Sequence, residues 1–237
     1  KITMFSEVTS HMIYQILNTP IREYPFPHFF NTNVFPEAFY AEIMKNMPDE
    51  DAYQTMNEQG LVNIPSDQVE KFERRTVISL NDDNIEAIDK SKRSFWLEFN
   101  KILISPEFLI PMIINFKPWI INQWGEDLGF SYKTDVSLFR DIEMWDLGPH
   151  TDQSDEILGM FIYLPPDDTT PYLGTSIYTP KEPGFTCEVG MRYNHELFNC
   201  VYTLPFLPNS VVGFFRNNTS FHGVECVQET GDVRNLI

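Results

Sequence analysis

Leu147-Gly148-Pro149-His150-Thr151-Asp152 is the stretch from which the fold is read. His150 and Asp152 stand two residues apart, and on an extended strand alternate side chains share a face. An imidazole and a carboxylate on one face make two arms of a metal clamp. Ser220-Phe221-His222-Gly223-Val224-Glu225 brings a third arm, His222. Two His and one carboxylate on one side of an octahedral ion leave three positions open, an arrangement that suits non-haem Fe(II) oxygenases. The surroundings agree with strands. Gly148-Pro149 marks a turn into one, and the apolar run 157–164 reads as a buried one. His222 follows the apolar run 210–215 and the polar turn Arg216-Asn217-Asn218-Thr219.

On these residues the chain resembles the 2-oxoglutarate- and Fe(II)-dependent oxygenases, nearest the prolyl-hydroxylase-like branch. The resemblance also rests on Phe161-Ile162-Tyr163-Leu164, Leu173-Gly174-Thr175-Ser176-Ile177-Tyr178 and Val233-Arg234-Asn235-Leu236. These pieces fall in the family's order over residues 132–237, with a weaker match at Pro25-Phe26-Pro27-His28-Phe29. The resemblance implies a double-stranded β-helix, or cupin-like jelly roll. It implies Fe(II) held by His150, Asp152 and His222, with 2-oxoglutarate and O₂ as co-substrates. Arg234 would pair with the C5 carboxylate of 2-oxoglutarate, assisted by Tyr163, with Thr175 a further candidate nearby. The implied reaction hydroxylates a C–H bond of a small-molecule or peptide substrate and yields succinate and CO₂. Asp152, where Gly or Ala would open a halide position, favours hydroxylation over halogenation. The sequence departs from the family pattern at Pro165, at Cys226 and in a slightly long interval from His222 to Arg234. Two other readings stay open: a jelly-roll binding module with a structural metal, and a cupin-like metalloenzyme that does not use 2-oxoglutarate.

The 237 residues are long enough for one large domain, and a single domain over 1–237 is expected. Its 34 acidic and 17 basic residues leave a net charge of −17. Duplex nucleic acid needs a basic face, so that partner is not expected, and anionic membrane surfaces are disfavoured. Cys187, Cys200 and Cys226 are odd in number and widely spaced, which fits a reduced, cytoplasmic compartment. No apolar run of about 18 residues occurs, so no transmembrane helix is expected. The start has neither a signal-peptide core nor an initiator Met, and Arg234 stands close to Ile237. The natural chain is therefore expected to run beyond both ends. Oligomeric state is not legible.

Hydrophobic spacing predicts a helix over 4–18 ended by Pro20, an extended segment over 24–35, and a helix from Pro36 to before Pro48. Residues 49–70 read as a long loop, either a lid or a plain surface excursion. A strand is expected over 72–80, its Arg74-Arg75 pair either meeting an anionic substrate or lying on a solvated edge. A helix capped by Asn81-Asp82-Asp83 should reach Ile104, and another should run from Pro106 to Trp124. Strands then follow at 134–144, 150–152, 157–164, 174–178, 185–190, 199–203, 210–215, 221–227 and 233–237. The class is mainly β with N-terminal helices (α+β): a helix-rich support over about 1–131 and the β-helix over about 132–237. His11 and His28 read as structural, and His195 as a loop residue. Asp155 is a poorer ligand than Asp152. Arg140 and Arg216 are substrate-contact candidates, and Phe139, Trp145 and Phe161 are candidate pocket walls.

Overall fold

Residues 2–58, 72–81, 83–126, 129, 131–187, 191–225 and 231–237 are described in the structure, a computed structural model. The N-terminal part opens with helix α1 (Ile2–Leu17), which buries Val8, Met12 and Ile16 at four-residue spacing. Strand β1 (His28–Asn31), helix α2 (Glu37–Lys45) and strands β2 (Gln54–Thr55) and β3 (Arg75–Ser79) follow. Of the loop expected over 49–70, residues 59–70 lie outside the described residues. The remainder is a 3₁₀ turn, Glu50–Ala52, leading into β2.

The helix expected to start at Asn81 starts later. Asp83–Ala87 is a 3₁₀ turn, and helix α3 runs Lys90–Leu103. Its cap is Asp89, whose carboxylate accepts from the Ser91 amide at 2.8 Å and satisfies an otherwise orphaned donor. The helix expected over 106–124 is two: α4 (Pro106–Asn115) and α5 (Lys117–Trp124), joined at Phe116. Pro118 explains the break, because it has no N–H to donate back to residue 114 and its ring crowds that carbonyl.

Eight further strands are β4 (Ser137–Asp141), β5 (Leu147–His150), β6 (Leu158–Tyr163), β7 (Thr175–Pro180), β8 (Phe198–Leu204), β9 (Ser210–Phe215), β10 (His222–Val224) and β11 (Arg234–Leu236). They pair as one long folded hairpin: β4 with β11, β5 with β10, β6 with β9, and β7 with β8, all antiparallel. Rolling that hairpin up adds the β10–β7 and β11–β6 contacts. The result is a jelly roll of two sheets, in the orders β1-β9-β6-β11-β4-β3-β2 and β5-β10-β7-β8. The expected helix-rich support therefore also extends the large sheet with β1, β2 and β3.

Every residue of β9 is buried. Val211 and Phe215 face the helices with Trp96, Phe99 and Leu138, while Val212 and Phe214 face the roll's interior with Tyr163, Ile177 and Leu236. A strand covered on both faces needs an unbroken apolar run, and residues 210–215 supply it. Several strands are shorter than expected. Met144, at φ 65°, lies outside β4. Residues 185–187 form no strand, and 188–190 and 226–227 lie outside the described residues, as does Cys226. Cys187 and Cys200 are thiols. Among the described residues, no helix is long and apolar enough to cross a membrane.

One backbone approach has a direct test. A Cβ on Gly174, at the mouth of β7, would fall 1.7 Å from the Leu204 carbonyl oxygen. Backbone on both sides leaves no side chain to move aside. Gly174→Ala is expected to cost about 3 kcal/mol or more by overpacking, read as a lower denaturation midpoint at unchanged slope. A midpoint equal to wild type would contradict this close packing.

Candidate metal centre

His150 is the last residue of β5, and His222 is its direct cross-strand partner on β10. Their rings lie 4.5 Å apart, centre to centre. Each Nδ1 sits 3.0 Å from a carbonyl two residues back, Gly148 for His150 and Ser220 for His222. Each Nδ1–H donates there, so each Nε2 keeps its lone pair. Burial, and then the neighbouring His222, hold His150 well below the usual histidine range, so it is neutral and able to donate that pair.

Asp152 lies two residues beyond the end of β5, in the irregular segment 151–153, and its carboxylate still reaches the two histidines. Arg216, buried, donates from Nε to the Asp152 carbonyl at 3.0 Å and from Nη1 to Asn218 at 3.1 Å, pinning the backbone at Asp152. This is Arg216's place, rather than a wall of the cavity. The Asp152 Oδ1 lies 3.5 Å from His222 Nε2 and 3.8 Å from His150 Nε2. All three donor atoms fall within 4.8 Å of one another. Ligands held about 2.1 Å from one divalent ion stand about 3–4 Å apart, which spans both measured separations. The donor set, two imidazoles and a carboxylate, fits Fe(II) and similar ions.

The cluster opens into a cavity of about 360 Å³ between the two sheets. Phe139, Leu147, Phe161 and Leu236 give it apolar walls, and Thr175 and Arg234 also line it. Arg234 is 1% exposed and donates Nε to the Leu173 carbonyl at 2.7 Å, Nη1 to Asp141 at 2.8 Å and Nη2 to Thr175 Oγ1 at 3.3 Å. Tyr163 does not line the cavity. Its hydroxyl donates to Thr175 Oγ1 at 2.6 Å and accepts the Thr175 amide at 2.9 Å, holding Thr175 in place from behind.

Two lining residues stand outside the site residues expected from the sequence. Arg75 is buried rather than on a solvated edge, and it faces Asp141 Oδ1 at 3.2 Å. Its signal was period two: Arg75, Val77 and Ser79 share one strand face. Burial lowers the Arg75 pKa, Asp141 opposes the shift, and Arg234 and Arg192 add to it. Glu156 lines the mouth, its carboxyl pushed up to about 7 by burial and by Asp152 and Asp155. Arg140 turns to the other face, pairing with Glu50 at 2.7 Å. Trp145 is buried but does not line the cavity; its ring meets Phe72 and Arg75 instead. His28 bonds the Phe26 carbonyl and the Tyr202 hydroxyl. His195, in the 3₁₀ turn His195–Leu197, faces Tyr178 and Glu225, and His11 faces the Asn33 carbonyl. None of these three histidines belongs to the cluster.

No protein-family model matches the chain, and no curated protein matches it. Solved structures resemble it in architecture. HygX from Streptomyces hygroscopicus with nickel, 2-oxoglutarate and hygromycin B bound is 13% identical, with 88% of this chain and 80% of that one covered and a TM-score of 0.44. AviO1 from Streptomyces viridochromogenes Tue57 is 12% identical over 96% and 91%, with a TM-score of 0.46. A Pseudomonas putida prolyl-4-hydroxylase is 10% identical over 96% and 95%, with a TM-score of 0.42.

Proposed function

We propose that this chain is a 2-oxoglutarate- and Fe(II)-dependent oxygenase that hydroxylates a C–H bond of a small-molecule or peptide substrate. The observation that carries the reading is a shared cavity: His150, Asp152 and His222 open into the same space that Arg234 and Thr175 line. The three donors would hold Fe(II), and Arg234 would receive the C5 carboxylate of 2-oxoglutarate. When bound, the iron and its co-substrate supply the oxidation of the C–H bond by O₂, with release of succinate and CO₂.

The chain's own share is placement. The Gly148 and Ser220 carbonyls hold both imidazoles in the donor tautomer. Arg216 fixes where Asp152 presents its oxygen. Arg234 is fixed by Leu173, Asp141 and Thr175, so its guanidinium is set before a carboxylate arrives. Phe139, Phe161 and Leu236 keep the surroundings apolar, which strengthens charge pairing there.

The test is anaerobic titration of 2-oxoglutarate into Fe(II)-loaded protein, followed by its metal-to-ligand absorption, and then admission of O₂ with a substrate screen read as succinate. Absorption and iron-dependent succinate support the reading. Protein that binds metal but gives neither favours the binding-module or cupin alternatives.

A further inference from the structure

Arg75, Asp141 and Arg234 are direct neighbours across three adjacent strands, β3, β4 and β11. One carboxylate thus serves two guanidiniums. Asp141, 0% exposed, turns Oδ2 to Arg234 at 2.8 Å and Oδ1 to Arg75 at 3.2 Å. The two arginines are not equally satisfied. Arg234 has three of its nitrogens engaged. Arg75 is 8% exposed, its Nε is buried without a hydrogen bond, and its guanidinium donates no hydrogen bond among the described residues. It is held from the sides instead, 4.3 Å over the Phe139 ring and 5.2 Å over the Trp145 ring. A buried guanidinium with idle donors and half a counter-ion is costly unless an anion completes it. A carboxylate matches its fork, and Arg75 lines the cavity beside Arg234.

We propose that Arg75 is a second carboxylate-binding residue of this cavity, receiving the distal carboxylate of 2-oxoglutarate together with Arg234, with Asp141 as the counter-ion that holds the two guanidiniums side by side. This rests on the 2-oxoglutarate reading above. Binding adds one negative charge where the row carries one net positive charge, so the buried set becomes neutral.

The test compares 2-oxoglutarate with 2-oxopentanoate, which has the same carbon chain without the distal carboxylate. Both are titrated anaerobically into Fe(II)-loaded protein. Wild type is expected to prefer 2-oxoglutarate by about 100-fold or more, the worth of a desolvated charged pair. Arg75→Met is expected to weaken 2-oxoglutarate about tenfold or more and to leave 2-oxopentanoate and Ni(II) binding at wild-type values. Ni(II) affinity serves as the check on folding. If Arg75→Met is poorly folded, Arg75→Gln, which keeps a polar head, carries the same expectation. A folded variant that retains the wild-type preference overturns the inference while leaving the oxygenase reading intact. Wild-type protein that binds metal but neither oxo acid overturns both.

Discussion

Asp152→Ala is expected to abolish 2-oxoglutarate turnover and to weaken metal binding by about 100-fold or more. The floor for that figure comes from outer partners of metal ligands, whose loss alone costs about 10–100-fold in affinity or activity. Asp152 is the only carboxylate among the three clustered donors. Its removal leaves two imidazoles, with no anion to offset the charge of a divalent ion. Folding should survive, because Asp152 follows the strand and its backbone carbonyl, the group that Arg216 holds, remains. Chelator competition gives the affinity, and succinate formation gives the turnover. An Asp152→Ala protein with wild-type turnover would remove Asp152 from the ligand set outright.

Asp141→Asn is expected to produce the largest loss of stability. Breaking a buried ion pair by removing one partner costs about 3–5 kcal/mol, and here one carboxylate is opposed by two guanidiniums. The asparagine keeps the shape and one acceptor but not the charge, leaving Arg75 and Arg234 close together without a counter-ion. Small proteins have only about 5–15 kcal/mol in total, so the variant should sit near its unfolding threshold at room temperature. Urea denaturation measures this, and 2-oxoglutarate should recover part of the loss if both arginines bind it. A variant within about 1 kcal/mol of wild type would mean the row is not the buried ionic set described above.

How much of this was legible varied with how local the signal was. The double coverage of β9 shows in its apolar run, whereas the helix break at Phe116 was missed although Pro118 marks it. The convergence of His150, Asp152 and His222 was legible as a grouping, but the brace that holds it was not. Strand periodicity suggested a common face; the ladder ends at His150, and the Asp152 carbonyl just beyond it is held by Arg216. Nothing local marks that brace, since Arg216 reads as one more polar residue in a turn. For Arg75 the sequence left two readings open, an anionic ligand or a solvated edge. Next to Arg74 it looks like half of a basic surface pair, and its burial follows only from Asp141 arriving beside it across the sheet. Helix starts were misplaced where one Asp competed with another: Asp89 makes the capping bond, while Asp83 enters a 3₁₀ turn.

The nested pairing of the jelly roll has a consequence for the order in which the protein forms. The β7–β8 hairpin closes the shortest span, and each pair outside it must enclose all those within. The loop-closure penalty rises with the span enclosed, and non-local β pairing is slow. The outermost link, Arg234 to Asp141, joins residues 93 positions apart. If the nested pairs close from the innermost outward, the cation pair that would receive an acid is expected to assemble after the two imidazoles on β5 and β10 have met. On that order the chain would acquire its metal donors first and its carboxylate receptor second. A refolding protein stopped between those steps would already capture an ion while remaining blind to 2-oxoglutarate.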